Sequence, residues 1–158
     1  MNTTVIKDEN FRDLGLLMAI RADPDISQAK LAENLGVSIG TVNGRLRRLS
    51  DKGLIRVNHL KRRKLRYTIT HKGTSLQETL TQAYVEKSFY LFRQIRQQVK
   101  QLLAELDSEG VNAVHLDGDG DIAEICRLTC LEQGFQLNDD QSAPALVVNG
   151  IDINLERE

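Results

Sequence analysis

Apolar residues recur with a helical period between Phe11 and Arg21, at Leu14, Leu16, Leu17, Ala19 and Ile20, and the pattern stops at Asp23-Pro24. A short helix is predicted there. Ser27 is placed to cap a second helix, QAKLAENL, which Gly36 closes. Ser38 is placed to cap a third, IGTVNGRLRRLSDK, closed by Gly53, with Val42, Leu46 and Leu49 on one face. Two β-rich runs follow, LIRVNHL and KLRYTIT, separated by a basic tip, which is a hairpin signal. From Thr70 the pattern turns helical for about 35 residues. Within it Val85, Phe92, Ile95, Val99, Leu102 and Leu106 keep the alternating spacing of a coiled-coil seam, and Phe89 widens it. Leu76 and Leu80 fall where they pack back on the first three helices. The last third reads as strand (Val111 to Leu116), a Gly-rich turn, a helix, then short strands in FQL and ALVVNGIDI.

This order predicts an α+β chain in three parts. Residues 1–75 form a winged helix–turn–helix, 76–107 a long helix, and 108–158 a small acidic α/β segment.

Charge separates the same parts. The chain carries a formal −1, but residues 1–75 hold 15 Lys+Arg against 7 Asp+Glu, and residues 107–158 hold 2 against 12. A basic front and an acidic rear point to a polyanionic partner at the front and a different task behind. No run approaches 18 apolar residues and the N-terminus lacks a signal-peptide pattern, so a cytoplasmic location and no membrane partner are expected. Cys126 and Cys130, four apart in a helical stretch, suit buried thiols better than a disulfide.

The stretch SQAKLAENLGVSIGTVNGRLRRLSDKGLIRV resembles the turn and recognition helix of winged-helix transcription regulators. Leu31, Ala32, Leu35, Gly36, Val37 and Val42 occupy its core, small and turn positions. The run YTITHKG resembles the end of the wing in MarR-type proteins, and the likeness covers roughly residues 12 to 106. Within that group, Val37 to Asn43 resembles the recognition helix of regulators found with exopolysaccharide gene clusters. The wing departs from the MarR pattern, which commonly carries an Asp–Arg pair at its tip; this tip is purely basic.

A duplex backbone is a dense anionic rail, so a partner of this kind needs Lys and Arg. Lys61, Arg62, Arg63, Lys64 and Arg66 can reach phosphates or a minor groove from the hairpin, with Arg56 on the first wing strand. The bland alternative is a solvated hairpin. On the third helix, Ser38 stands at the start, Gly40, Asn43, Gly44, Arg47 and Arg48 face outward, and Thr41 and Arg45 lie on the flanks. Asn suits adenine, Arg suits guanine or phosphate, and Thr either. Gly40 and Gly44 each cost a helix roughly 1 kcal/mol against Ala; either they admit the backbone deep into the groove or the helix tolerates them. The seam residues Val85, Phe89, Phe92, Ile95, Val99, Leu102 and Leu106 predict a homodimer, with packing on the rear segment as the alternative.

The rear raises three chemistries. Asp117, Asp119 and Asp121 sit at EF-hand spacing, but Ile122 and Leu128 stand where Gly and Glu belong, so no metal is expected. Gly118-x-Gly120-x-x-Ala123, with Asp139 following 21 residues after Gly118, resembles the opening of a Rossmann unit and makes a candidate ligand loop. Three aspartates beside a pyrophosphate, and only some 50 residues, argue for a structural relic or docking module and no bound cofactor. The thiols could sense oxidants or, with His115, bind a metal, but four apart on an apolar helix they read as core. No nucleophile has a convincing base, so no catalytic residue is assigned and an enzyme is not expected.

The sequence therefore predicts a dimeric, sequence-specific regulator that binds double-stranded DNA, with a small-molecule or protein partner at its C-terminal segment. The alternative is a winged-helix interaction scaffold without specific DNA binding.

Overall fold

The computed structural model describes residues 9–139 and 143–157. The chain forms two compact units, one ending at Val85 and the other beginning at Glu86.

The first unit opens with three helices: α1 (Glu9–Ala22), α2 (Gln28–Leu35) and α3 (Ile39–Asp51). Their ends lie where short polar and glycine residues place them. Ser27 Oγ accepts from Lys30 N, and Ser38 Oγ accepts from Thr41 N at 3.1 Å. Each serine satisfies one of the donors a helix start leaves free. Gly36, at φ 61°, closes α2 in the left-handed region that favours glycine. Strands β1 (Ile55–His59) and β2 (Leu65–Ile69) pair antiparallel with Val57 opposite Tyr67, making the wing. Leu16, Leu17, Ile20, Leu31, Val42, Leu49, Ile55 and Tyr67 are all nearly inaccessible and form one core. At the start of the long helix α4 (His71–Ser108), Leu76 packs against this core as expected, and Leu80 is buried.

In the second unit, α4 meets strand β3 (Ala113–Asp117), helix α5 (Gly120–Glu132), β4 (Gln136–Leu137), β5 (Ala145–Asn149) and β6 (Asp152–Glu156). The sheet order is β4-β3-β5-β6; β4 and β5 lie parallel to β3, and β6 returns antiparallel. Ile95, Val99, Leu103 and Leu106 of α4 share a core with Val114, Cys126, Cys130, Phe135, Leu146 and Ile153.

The expected two-chain seam is corrected by this core. Ile95, Val99 and Leu106 are buried by the chain's own C-terminal residues and cannot meet a second copy. Leu103 takes the place expected of Leu102, which is only half-buried, because the stripe continues from Val99 by four residues. Val85, Phe89 and Phe92 remain exposed, Phe89 by 59%. The α+β architecture with a winged front, a long helix and a small rear sheet is as the sequence predicts.

Candidate nucleic-acid interface

The third helix presents a graded surface. Val42, Leu46 and Leu49 are inside; Gly40, Gly44 and Arg47 are exposed, and Thr41, Asn43 and Arg48 are half-buried. Ser38 and Thr41 share a 2.8 Å hydroxyl contact at its start. Ile39, in the first turn, is 53% exposed. Its spacing to Val42 and Leu46 matches the core face, so the sequence alone does not mark it as a surface residue.

Arg45 departs from expectation. Its side chain is 8% exposed, and Nη1 lies 2.9 Å from Asp13 Oδ1 and donates to the Glu9 carbonyl at 3.2 Å. Its Nε is buried with no partner among the described residues. A guanidinium held this way braces α3 against α1 and is not free for DNA. Arg48, 39% exposed, has its guanidinium 3.7 Å from Glu9 and 3.8 Å from Asp13, at the margin of the same network.

At the wing, Lys61, Arg62, Arg63 and Lys64 are all exposed. Arg62 (φ 63°) and Arg63 (φ 60°) both take left-handed backbone, a region that costs an L-residue with a Cβ roughly 1–2 kcal/mol. Arg47, Lys61, Arg62 and Arg63 form no ion pair among the described residues. Arg66, by contrast, is committed: Nε and Nη2 both donate to the Asp25 carboxylate at 2.6 Å, tying β2 to the α1–α2 turn. The hydrogen bonds from Arg66, with added attraction from Arg66 and Lys64, hold the Asp25 pKa below its ordinary value. The expectation that Arg66 reaches phosphate is corrected accordingly. Arg56 lies opposite Thr68 at the wing base, six residues before Arg62.

The rear loop is explained by packing. A Cβ on Gly118 would stand 2.7 Å from that of Val148, so only glycine lets β3 turn into α5 against β5. Gly120 takes a left-handed φ of 79°, Ala123 is buried, and Asp139 is exposed beyond β4. Asp117, Asp119 and Asp121 are exposed. His115 Nδ1 lies 3.1 Å from the Asn138 carbonyl. Among the described residues no group of three or more His, Cys, Asp or Glu is placed to hold a metal. Burial pushes both thiols up to about 11, so Cys126 and Cys130 stay protonated near neutral pH. No helix among the described residues is long and apolar enough to cross a membrane.

Residues 12–56 match the family described as winged helix-turn-helix DNA-binding. No curated protein matches the chain. Solved structures similar to it include MepR, a transcription regulator of the Staphylococcus aureus multidrug efflux pump MepA. That structure is 28% identical over 65% of this chain and 78% of MepR, with a TM-score of 0.47. The S. aureus MepR–DNA complex is 27% identical over 65% and 76%, at 0.48. A Mycobacterium tuberculosis MarR family protein complexed with salicylic acid is 24% identical over 60% and 75%, at 0.45.

Proposed function

We propose that this chain is a MarR-like, sequence-specific transcription regulator that binds double-stranded DNA as a homodimer. One observation carries the reading: Arg47 on α3 and Lys61, Arg62 and Arg63 on the wing stand exposed and, among the described residues, without acidic partners, on a domain of the DNA-binding winged-helix type. In this reading α3 enters the major groove, with Asn43 and Arg47 at base edges and Ser38, Thr41 and Arg48 beside them. Ile39 is placed for a thymine methyl. Gly40 and Gly44 let the helix backbone approach closely, and the wing tip with Lys64 follows the phosphates. Arg45 and Arg66 hold α3 and the wing in position. Val85, Phe89 and Phe92 form the contact between copies, a shorter seam than the whole of α4. The likeness of Val37–Asn43 to regulators of exopolysaccharide clusters makes such genes the first candidate targets. The acidic rear, repelled by DNA, is left to receive a small molecule or a protein near Gly118, Gly120 and Asp139.

The test is binding of the full chain to duplex from upstream of its own gene, against scrambled duplex, across a salt series. Tighter binding to the upstream DNA is expected, with a log–log salt slope near −0.9 per phosphate contacted. The same affinity for both duplexes would reduce the reading to nonspecific binding. No binding at any salt would leave the winged helix as an interaction scaffold.

A further inference from the structure

The two edges of the wing sheet are finished differently. On β2, the Tyr67 N–H donates to the Pro24 carbonyl at 2.8 Å, away from β1. Val57 and Tyr67 are therefore a non-hydrogen-bonded pair of the ladder. Thr70 N to Leu54 O (3.1 Å) and Leu60 N to Lys64 O (2.7 Å) fall on the alternate, bonded positions. The same alternation turns the backbone N–H and C=O of Ile55, Val57 and His59 toward the outer side of β1. Among the described residues no strand pairs on that side, and no backbone bond outside the β1–β2 ladder reaches Val57 or His59.

A groove of about 670 Å³ runs along β1, between Ser50 and Gly53 at the end of α3 and His71 and Lys72 at the start of α4. Its charged lining is cationic: Arg56 and Lys72 stand exposed along it, and no acidic side chain lines it. Lys72 Nζ spends one proton on the Lys52 carbonyl at 3.0 Å, leaving two for a ligand.

We propose that the free edge of β1 accepts an extended acidic peptide of a partner protein as a third wing strand, its carboxylates meeting Arg56 and Lys72. The choice of occupant follows from the chemistry of the groove. A duplex backbone offers only acceptors, whereas an open strand edge alternates donors with acceptors, and another strand satisfies both. The positive lining selects an acidic strand. The inference stands apart from DNA binding and assigns Arg56 to a surface of its own at the wing base.

The test uses the full chain and a fluorescein-labelled eight-residue peptide of alternating Glu and Thr, read by anisotropy. Beside it runs the same peptide with alternate backbone amides N-methylated, which keeps the charge and removes the strand donors. Saturable binding is expected, weakened at least tenfold by N-methylation and at least fivefold by Arg56→Glu with Lys72→Glu. Val57→Pro should abolish it, because that N–H faces the free edge and no ladder bond is lost. If the Pro variant does not fold, the methylated peptide carries the comparison, since it alters only the probe. Three results would overturn the proposal. The wild-type chain could ignore the peptide, or hold both peptides equally, which is simple ion pairing. Alternatively, duplex DNA could displace the peptide while Arg56→Glu with Lys72→Glu weakens DNA binding as much as charge reversal at the wing tip does, making the groove a DNA contact.

Discussion

Gly44 and Arg45 are neighbours on α3 and show two different uses of a residue. A Cβ at Gly44 would meet nothing within 4 Å, so the fold gains nothing from its absence. Gly44→Ala should therefore raise unfolding stability by about 0.5–1 kcal/mol, measured by urea titration. Gly44→Leu should fold as well but bind operator about tenfold more weakly, a loss of about 1.4 kcal/mol. Unchanged affinity would remove the close-approach role. Arg45→Gln should cost about 2 kcal/mol of stability, because it leaves a carboxylate that is only 18% exposed with no cation nearer than Arg48 at 3.8 Å. Its preference for operator over scrambled duplex should stay at the wild-type value, whereas Arg47→Gln should cost about 1–3 kcal/mol of operator binding and relax the preference at one base pair. Arg45 was not legible in the sequence. Helical geometry put it on a flank, and its partner Asp13 lies 32 residues earlier, so only the packing of α1 on α3 brings them together. The outward position of Arg47 was legible, since it depends on α3 alone, whereas Asn43, expected to face outward as well, is half-buried.

Among the elements, the wing and α4 carry the clearest expectations. Replacing Arg62 or Arg63 with Gly removes a left-handed penalty of roughly 1 kcal/mol each and one cation each. Each variant should melt at a higher temperature while its salt slope shortens by about 0.9. A slope equal to the wild type's would mean that the tip does not touch phosphate. For α4, Phe89→Glu with Phe92→Glu should give a folded monomer in sedimentation. Val99→Asp should unfold the second unit instead, because Val99 is wholly buried there. The ends of α2 and α3 were readable because capping is local: Ser27, Gly36 and Ser38 act within one turn. The fate of the α4 stripe was not. An apolar face has the same spacing whether it meets a second chain or its own sheet, and Leu146 and Ile153, which close over it, are far along the sequence.

For the whole molecule, two units with separate cores should respond separately to alkali. Both thiols lie in the second core, where burial raises their pKa to about 11 from 9.0. Above pH 9 the unfolded chain ionises them and the folded chain does not, so the contribution of the neutral thiols is lost as pH rises from about 9 to about 11. The second unit should therefore melt earlier at pH 10.5 than at pH 8, and Cys126→Ala with Cys130→Ala should flatten that dependence. Calorimetry of both chains decides it, and equal pH dependence would mean that the thiols are not the cause. The shared core of α4 and β6 also bears on how the chain is made. Leu106 leaves the ribosome 47 residues before Ile153, the residue on β6 that helps enclose it. At about 5–20 residues per second, the stripe from Ile95 to Leu106 waits roughly 2–10 s in the nascent chain without its cover. During synthesis it is a surface that chaperones can bind.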